Sequence, residues 1–307
     1  MTAPKSTTIS PLAWMLLIIL GLLWGGSFFF ARFAIGHVPP LTLAFLRFIL
    51  AAIALHLFIA GRYGIYRELL ARWRSFALLG LINNVIPHSF IFIGQTEIGA
   101  GLASIINATT PIWTVLVAHM LTSDEKLTPA KAFGTLTGLA GTILLFLPHI
   151  GEKAGAPFWA LLLPLLAAVS YGFAAIFGRR FRSIPAPVTA AGQLTFASII
   201  MAPVALAHDL PWTLPMPPFS VIAAVLALAF ASTALGYILY FRLITLAGAT
   251  NTSLVTLLVP PSAILLGVLF LGEQLDLFEG LGLLAIAFGL VILDGRLVSR
   301  LASSLRR

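Results

Sequence analysis

The sequence predicts an all-α membrane protein with ten transmembrane helices, arranged as two inverted five-helix repeats with both termini in the cytoplasm. Three observations predict this fold. The composition is too apolar for a soluble domain, the chain divides into apolar runs long enough to cross a bilayer, and its two halves align with each other.

The composition excludes an ordinary soluble domain. Hydrophobic residues make up 60% of the 307 residues and charged residues only 9%, with a mean hydropathy of +1.04. Soluble domains carry about 25% charged residues. The absence of cysteine excludes disulfides and thiol chemistry. The first apolar run lacks an Ala-x-Ala cleavage pattern and exceeds a signal-peptide core, so we expect it to remain as a helix.

The apolar runs are continuous, which favours helices over the alternating strands of a barrel. A helix needs about 20 such residues to cross a hydrocarbon layer of ~30 Å. The ten predicted spans are Leu12–Ile35, Leu41–Ala60, Phe76–Gln95, Gly101–Leu121, Pro129–Leu147, Pro157–Gly178, Val188–Ala207, Phe219–Phe241, Ala249–Leu271 and Phe278–Leu293. No polar connection is long enough to enclose a soluble core, so the functional residues should lie within the membrane.

The basic residues are distributed unevenly between the two sides of the membrane. With the amino terminus inside, fifteen of the eighteen Lys and Arg residues fall on the inner side. Arg32 and Lys153 fall outside, and Arg47 lies within the second span. The positive-inside rule therefore places both termini in the cytoplasm. We expect the protein to lie in the inner (plasma) membrane of the cell. The net charge of +8 reflects topology rather than nucleic-acid binding, since no soluble basic face exists to hold a duplex.

The second half of the chain repeats the first, which predicts domains at residues 1–150 and 151–307. The matched pairs are Asn83/Ser232, Asn84/Thr233, His88/Tyr237 and Pro111/Pro260 at a shift of 149, Glu125/Glu273, Gly134/Gly282 and Gly141/Gly289 at 148, and Trp24-Gly25/Tyr171-Gly172 at 147. Because each repeat has an odd number of spans, the second repeat must be inserted upside down relative to the first.

Polar side chains follow one face of the third predicted span and of its repeat mate, the eighth. At about 100° per residue, the stripes are Asn84, His88 and Gln95 in the third span and Thr233, Tyr237 and Tyr240 in the eighth. The fourth span carries a further strip of Asn107, Thr110, Pro111 and Thr114. Asn83 lies about 100° from Asn84, so we expect it to pack against a neighbouring helix.

These strips admit two interpretations. An unpaired amide in hydrocarbon costs about 4–8 kcal/mol, so the groups must face either helix partners or a wet cavity. Individually they could join helices, at roughly 0.6 kcal/mol each. As a set, matched strips on repeat-related helices converge near the pseudo-two-fold axis and favour a cavity.

Prolines interrupt three of the polar spans: Pro87, Pro111 and Pro260. Each removes a ladder hydrogen bond, kinks its helix and frees a carbonyl. A purely structural kink and a gating hinge are equally compatible with each of them.

Several motifs resemble the drug/metabolite transporter superfamily, in its ten-span branch of two EamA domains. They are "LLWGGSFFFAR" from Leu22 to Arg32, "LAFLRF" from Leu43 to Phe48, the Pro-bearing fourth and ninth spans, and "LGE" from Leu271 to Glu273. The resemblance covers essentially the whole chain. Within the superfamily the sequence resembles the YddG-type aromatic amino-acid exporters by general likeness.

The resemblance implies a central substrate path surrounded by the third, fourth, eighth and ninth helices, with the first and sixth beside them. Together with the polar strips it selects as substrate-binding candidates Asn84, His88, Tyr237, Tyr240, Asn107, Thr110 and Trp24. The gating or hinge candidates are Pro87, Pro111 and Pro260. Trp24 matches Tyr171 and lies near mid-span, where a place in the cavity and a packing role are both open.

Arg47 and His88 are basic groups near the centres of their spans. Arg47 in mid-membrane is a functional hypothesis, but hydrogen bonding to carbonyls or snorkelling is the favoured interpretation. His88 could switch charge, although a neutral, hydrogen-bonded imidazole is the favoured state. All ten acidic residues fall at helix ends or in connections. No carboxylate is therefore placed to hold a lipophilic cation or relay a proton.

The expected activity is export of small neutral or zwitterionic metabolites, chiefly amino acids including aromatic ones, by alternating access without proton coupling. The alternatives are an organophosphate or nucleotide-sugar exchanger, which needs basic clamps for phosphate, and a proton-coupled drug exporter. The sequence lacks a Ser-His-Asp constellation, an H-E-x-x-H pair and a phosphate-binding loop. We therefore expect no enzyme, no metal and no cofactor. The expected partners are a small solute and the lipid bilayer, with a single chain sufficient for function.

The orientation can be tested with single cysteines, because the chain has none of its own. In sealed cells, cysteines at Gly155 and Asp209 should react with an impermeant thiol reagent added outside, and a cysteine at Arg72 should not. Labelling at Arg72 under those conditions would reverse the orientation.

Overall fold

The computed structural model describes residues 9–60, 65–145, 147, 156–262 and 277–294, and all regular structure in these ranges is helical. The helices are α1 (Pro11–Ile35), α2 (Pro40–Ile59), α3 (Ile65–Ala71), α4 (Trp73–Gly80), α5 (Ile86–Glu97), α6 (Ala100–Asn107), α7 (Thr110–Leu121), α8 (Pro129–Leu145), α9 (Phe158–Gly178), α10 (Ala186–Asp209), α11 (Phe219–Ala227), α12 (Gly236–Ala247), α13 (Ala249–Ser253) and α14 (Leu277–Asp294). Residues 255–262 are also helical.

Within the described ranges, seven helical stretches are long and apolar enough to cross a membrane. They are Pro11–Ile35, Pro40–Ile59, Trp73–Glu97, Leu102–Leu121, Phe158–Phe181, Ala186–Asp209 and Phe219–Ala247. Helices α8 and α14 occupy the fifth and tenth predicted spans. The predicted ninth span lies within the described ranges only as far as residue 262. Exposed apolar side chains such as Leu57, Phe133 and Leu284 suit contact with lipid.

Two π-helical segments, Leu81–Val85 and Leu228–Leu235, interrupt the third and eighth spans. The first joins α4 to α5, and the second joins α11 to α12. They occupy equivalent places in the two repeats, because Asn83 matches Ser232 and Asn84 matches Thr233. Single-turn π segments inside α-helices are frequent at functional sites.

The second span and its repeat mate pack against each other as α2 and α10. At one end, Thr42 donates its backbone N–H and its hydroxyl to Asp209 Oδ2 at 2.7 and 2.8 Å. At the other, His56 Nε2 and Thr195 Oγ1 lie 2.8 Å apart. The start of α2 therefore meets the end of α10, and these repeat-related helices run in opposite directions.

The fifth and tenth spans, α8 and α14, pair in the same way through glycines. A Cβ added at Gly134 would lie 2.9 Å from the carbonyl oxygen of Gly289, and one added at Gly141 would lie 2.8 Å from that of Gly282. The backbones are thus in direct contact, as small residues permit. The order of these contacts shows that α8 and α14 also run in opposite directions, as expected for mates in inverted repeats.

The first and sixth spans exchange partners between the repeats. Helix α1 packs on the eighth span, where Ser232 Oγ donates to the carbonyl of Leu23 at 2.8 Å. Helix α9 packs on the third span, where Ser170 Oγ donates to the carbonyl of Ile82 at 2.7 Å. These equivalent contacts enclose the space between the two π-helical segments.

The close contact of α8 with α14 predicts that adding one methyl group at Gly289 lowers the stability of the protein. Gly289→Ala places a Cβ 2.7 Å from the carbonyl of Gly134 and should destabilise the protein by about 1–3 kcal/mol through overpacking. Gly280→Ala is the matched control in the same helix, since no heavy atom lies within 4 Å of its added carbon. Thermal unfolding of the purified variants should show a lower melting temperature for Gly289→Ala alone. Equal melting temperatures would contradict the close contact.

Candidate functional site

A cavity lined by residues from both halves of the chain lies beside the first π-helical segment, whose Asn83 is on its wall. Its walls come from α1, α2, α5, α6, α7, α9, α12 and the chain from α13 to residue 259. Six predicted site residues line it: Trp24, His88, Asn107, Thr110, Tyr237 and Tyr240. The structure therefore brings together side chains from both halves of the chain, as the convergence of the polar strips predicted.

Aromatic rings form matched pairs on opposite walls of the cavity. The rings of Trp24 and Tyr237 lie 6.2 Å apart with planes at 72°, and those of Tyr171 and His88 lie 6.1 Å apart at 88°. These pairs are equivalent in the two repeats. Tyr240 adds a second ring at 5.6 Å from Trp24. Edge-to-face contacts of this kind hold large apolar surfaces in a defined geometry.

Trp24 combines the two roles that the sequence left open. It lines the cavity, and its indole Nε1–H donates to the carbonyl oxygen of Ser232 at 3.0 Å. That carbonyl belongs to the π-helical segment of the eighth span. The hydrogen bond fixes the ring orientation, so one face of the indole is held toward the cavity.

Pro87 creates the hydrogen bond that joins the third and eighth spans. Proline has no N–H to donate to the carbonyl four residues earlier, which is that of Asn83. The freed carbonyl oxygen accepts a hydrogen bond from Tyr237 Oη at 3.0 Å. The Asn83 side chain also donates Nδ2–H to Gln193 Oε1 at 2.9 Å, in the seventh span. Asn83 therefore contacts two helices of the other repeat.

Asn84 does not line the cavity, whereas Asn83 does. The prediction of the facing residue assumed the 100° step of an α-helix. A π-helical turn is wider and rotates each residue through a smaller angle, which changes the face that each asparagine presents. Asn84 is fully buried, and its side-chain amide has no hydrogen-bond partner within the described residues.

His88 is held in one tautomer by its neighbour on the same helix. Its Nδ1 lies 3.0 Å from the carbonyl oxygen of Asn84. Because a carbonyl can only accept, Nδ1 carries the proton. In the neutral state that the sequence favoured, Nε2 is then an acceptor, and the Phe48 ring packs edge-to-face on the imidazole at 5.4 Å between centroids. His88 can therefore accept a hydrogen bond from a solute without a change of charge.

Arg47 is a cavity residue that the sequence interpretation assigned to structure. Its guanidinium is buried, donating from Nε to Thr233 Oγ1 at 2.6 Å and from Nη1 to Ser27 Oγ at 3.0 Å. These partners are side-chain hydroxyls rather than the carbonyls that were expected. The signal that could have identified it is its position: a lone cation at mid-span.

The predicted hinge prolines lie at irregularities of their helices. Pro87 follows the first π-helical segment, and Pro111 follows the break between α6 and α7. At that break, Thr110 Oγ1 donates to the carbonyl of Asn107 at 2.6 Å. Pro111 has no backbone N–H to donate to this carbonyl, which lies four residues earlier. Pro260 is buried within helical residues 255–262. A gating role for the three stays a prediction.

Ionic contacts join the ends of three spans around Glu125. Glu125 accepts the backbone N–H groups of Ala249 and Thr250 at 3.1 and 2.8 Å. Its Oε1 also lies 3.7 Å from Arg179 Nη1 and 3.5 Å from Arg182 Nη2. The fourth, sixth and ninth spans meet in this cluster.

The groups of this cluster shift each other's pKa values in different directions relative to their charged states. Arg179 also bonds Asp124, and this hydrogen bond lowers the pKa of the Asp124 carboxyl below its usual value. Burial lowers the pKa of Arg182. At the repeat-equivalent position on the other side, Gly99 has no heavy atom within 4 Å of an added Cβ, whereas a Cβ at Gly248 would lie 2.9 Å from Glu125 Oε1. Glu273, the mate of Glu125, lies outside the described residues.

Comparison with known proteins identifies the family to which this architecture belongs. The model of the EamA-like transporter family matches the chain twice, at residues 12–147 and 158–293. The chain belongs to the EamA-like transporter family. It is therefore a multi-pass protein of the inner membrane, built from two EamA repeats.

Relatives of this EamA-like chain are named as transporters across bacteria and archaea. It is 28% identical over 280 residues to the uncharacterized inner membrane transporter YedA of Escherichia coli K12, covering 90% of this chain and 88% of YedA. An uncharacterized transporter of Archaeoglobus fulgidus is 24% identical over 91% of this chain and 98% of its own length. The uncharacterized transporter YoaV of Bacillus subtilis is 23% identical, over 89% and 94%.

A solved crystal structure shares the fold. It superposes with a TM-score of 0.74 at 24% sequence identity, covering 94% of this chain and 97% of the other. At this identity the likeness establishes the EamA-type architecture alone. The solute must therefore be inferred from the residues on the cavity wall of this chain.

The hydrogen bond from the Tyr237 hydroxyl should contribute to the stability of the protein, because it joins the two repeats. Tyr237→Phe removes its bond to the Asn83 carbonyl and leaves that buried acceptor unpaired, which should lower stability by about 1–3 kcal/mol. Tyr240→Phe is the matched control, because no hydrogen bond from its hydroxyl is found in the described part of the chain. Thermal unfolding in detergent should separate the two variants. Equal stability would show that the bond does not join the repeats.

Proposed function

We propose that the chain is an alternating-access carrier that exports small neutral or zwitterionic metabolites, chiefly amino acids including aromatic ones. The single observation that carries this proposal is the central cavity, in which rings, amides and one guanidinium from both repeats converge. Ligand sites are mostly apolar cavities with a few placed polar groups. The sequence also resembles the YddG-type exporters by general likeness.

The cavity wall supports a solute with a planar or apolar body. Trp24, Tyr171 and Tyr240 present rings at the surface of the cavity. Such faces stack on aromatic side chains and tolerate aliphatic ones. Amide and hydroxyl groups, such as those of Asn107 and Thr110, supply hydrogen bonds without a full charge. An apolar pocket with neutral polar groups suits amino acids better than a polyanion.

The alternatives fit the same wall less well. A nucleotide sugar or sugar phosphate requires several basic side chains around its phosphate, and Arg47 is the basic lining residue among those described. A proton-coupled drug exporter requires a carboxylate in mid-membrane. The acidic residues of this chain all fall at helix ends or in connections. Facilitated diffusion is therefore the proposed mode.

Alternating access needs a closure at one end that can open. The Glu125 cluster joins the fourth, sixth and ninth spans at one end of the molecule. Under the proposed topology of ten spans with both termini in the cytoplasm, this is the cytoplasmic end, and we propose that the cluster acts as the cytoplasmic closure. Breaking these ion pairs while the antiparallel mates rock against each other would open it.

A single chain forms the whole cavity, so we propose that the protein works as a monomer, with a solute and the surrounding bilayer as its partners. The proposed binding residues are those on the wall: Trp24, His88, Asn107, Thr110, Tyr237 and Tyr240. Asn84 is proposed to act indirectly, since its carbonyl fixes the ring of His88.

Counterflow in proteoliposomes tests the substrate class. Vesicles loaded with unlabelled solute should accumulate labelled phenylalanine, and to a lesser extent threonine, but not a sugar phosphate. His88→Ala should reduce this exchange several-fold while the folded protein is retained, because it removes a polar group from the wall. Normal counterflow in His88→Ala would remove that residue from the site, and exchange of the sugar phosphate alone would favour the phosphate exchanger.

A proton gradient separates the facilitator from the coupled exporter. In inverted vesicles, an imposed gradient should change neither the rate nor the final level of wild-type uptake. If gradient-driven accumulation is robust and His88→Gln abolishes it while counterflow continues, the facilitator proposal is wrong and His88 is the coupling group.

A further inference from the structure

Arg47 has a charge with no counter-charge in the described structure. Its side chain is 3% exposed and lies on the cavity wall, far from both ends of α2. Its two hydrogen-bond partners, Thr233 Oγ1 and Ser27 Oγ, are neutral hydroxyls. No Asp or Glu pairs with it among the described residues. A buried cation without a counter-charge is unfavourable in a membrane interior.

The guanidinium retains donors that face the cavity. Arginine has five N–H groups, and the bonds to Thr233 and Ser27 use one on Nε and one on Nη1. Nη2 makes no hydrogen bond in the described structure. Three of the five N–H groups, one on Nη1 and two on Nη2, therefore remain as donors in a residue that lines the cavity. Charged donors of this kind match the acceptor oxygens of a carboxylate.

Unpaired acceptors lie on the same wall. Asn107 Oδ1 and Gln95 Oε1 are buried and have no hydrogen-bond partner within the described residues. Both residues line the cavity with Arg47. Amide oxygens can accept hydrogen bonds from an ammonium group. The cavity thus presents donors with positive charge, neutral acceptors and aromatic faces, which are complementary to a carboxylate, an ammonium and an apolar side chain.

We propose that Arg47 binds the carboxylate of the transported solute and that this contact selects monocarboxylates, above all α-amino acids, over their amides and amines. The inference rests on the proposed function and specifies the chemistry of its site. The solute carboxylate supplies the counter-charge that the chain does not, so the cavity discriminates by charge at one end and tolerates varied side chains at the other. Thr233 and Ser27 are positioning residues for the guanidinium.

The test uses paired probes on the full-length protein in nanodiscs, with binding measured by calorimetry. L-phenylalanine is compared with L-phenylalaninamide, which keeps the ring and the ammonium but lacks the carboxylate. The pair 3-phenylpropionate and phenylethylamine separates the two charged groups. Wild-type protein should bind phenylalanine at least tenfold more tightly than its amide, and 3-phenylpropionate more tightly than phenylethylamine. This comparison needs no variant and so does not depend on how well one folds.

Variants then assign the discrimination to Arg47. Arg47→Met should reduce the ratio between phenylalanine and its amide to about one, and Arg47→Lys should restore part of it. Arg242→Met is the control, because Arg242 is exposed and is not on the cavity wall. It should leave the ratio unchanged. A residue that only joins helices would lower stability without altering the ratio.

The outcomes distinguish this inference from the proposed function. If phenylalanine and its amide bind equally to wild-type protein, amino-acid transport can stand but Arg47 is not the carboxylate site. If 3-phenylpropionate binds in an Arg47-dependent manner and amino acids do not, Arg47 is the carboxylate site and the amino-acid assignment is wrong. Failure of every carboxylate probe to bind overturns both. A ratio unchanged by Arg47→Met overturns the role of Arg47 alone.

Discussion

Polar groups in the middle of a bilayer must find partners inside the protein, and this constraint explains the centre of the structure. Two repeat-related π-helical segments place carbonyls and polar side chains at mid-membrane, where an unsatisfied group is costly. The structure satisfies them across the repeats. Tyr237 bonds the carbonyl that Pro87 releases, and Trp24 bonds the carbonyl of Ser232. The same bonds orient the rings that line the cavity.

The helices of one repeat pair with those of the other, and this pairing allows one repeat to move against the other. The second and seventh spans, like the fifth and tenth, are antiparallel pairs of repeat mates. The first and sixth spans cross to the opposite repeat. Motion of one repeat against the other would therefore act on the cavity from both sides. The Glu125 cluster joins the ends of three spans through ion pairs at one end of the molecule.

Much of this architecture could be predicted from sequence because it depends on apolar length and internal similarity. The match of Trp24 to Tyr171 and of His88 to Tyr237 anticipated the equivalent ring pairs. The facing of Asn83 could not be predicted, since the π-helical turn leaves no periodic signal and alters the rotation that an α-helix implies. The partners of Arg47 could not be predicted, because a sequence cannot tell whether a buried cation meets carbonyls, hydroxyls or open space.

The central claim is that one cavity is exposed alternately to the two sides of the membrane. Thr256 lines it, and among the described contacts its hydroxyl bonds only the carbonyl of Ser253, three residues earlier, so Thr256→Cys is a conservative reporter. The measurement is its labelling by an impermeant thiol reagent in right-side-out and in inverted vesicles, with and without phenylalanine. The account predicts labelling from both sides and protection by phenylalanine in each case. Labelling from one side alone, unaffected by solute, would contradict it.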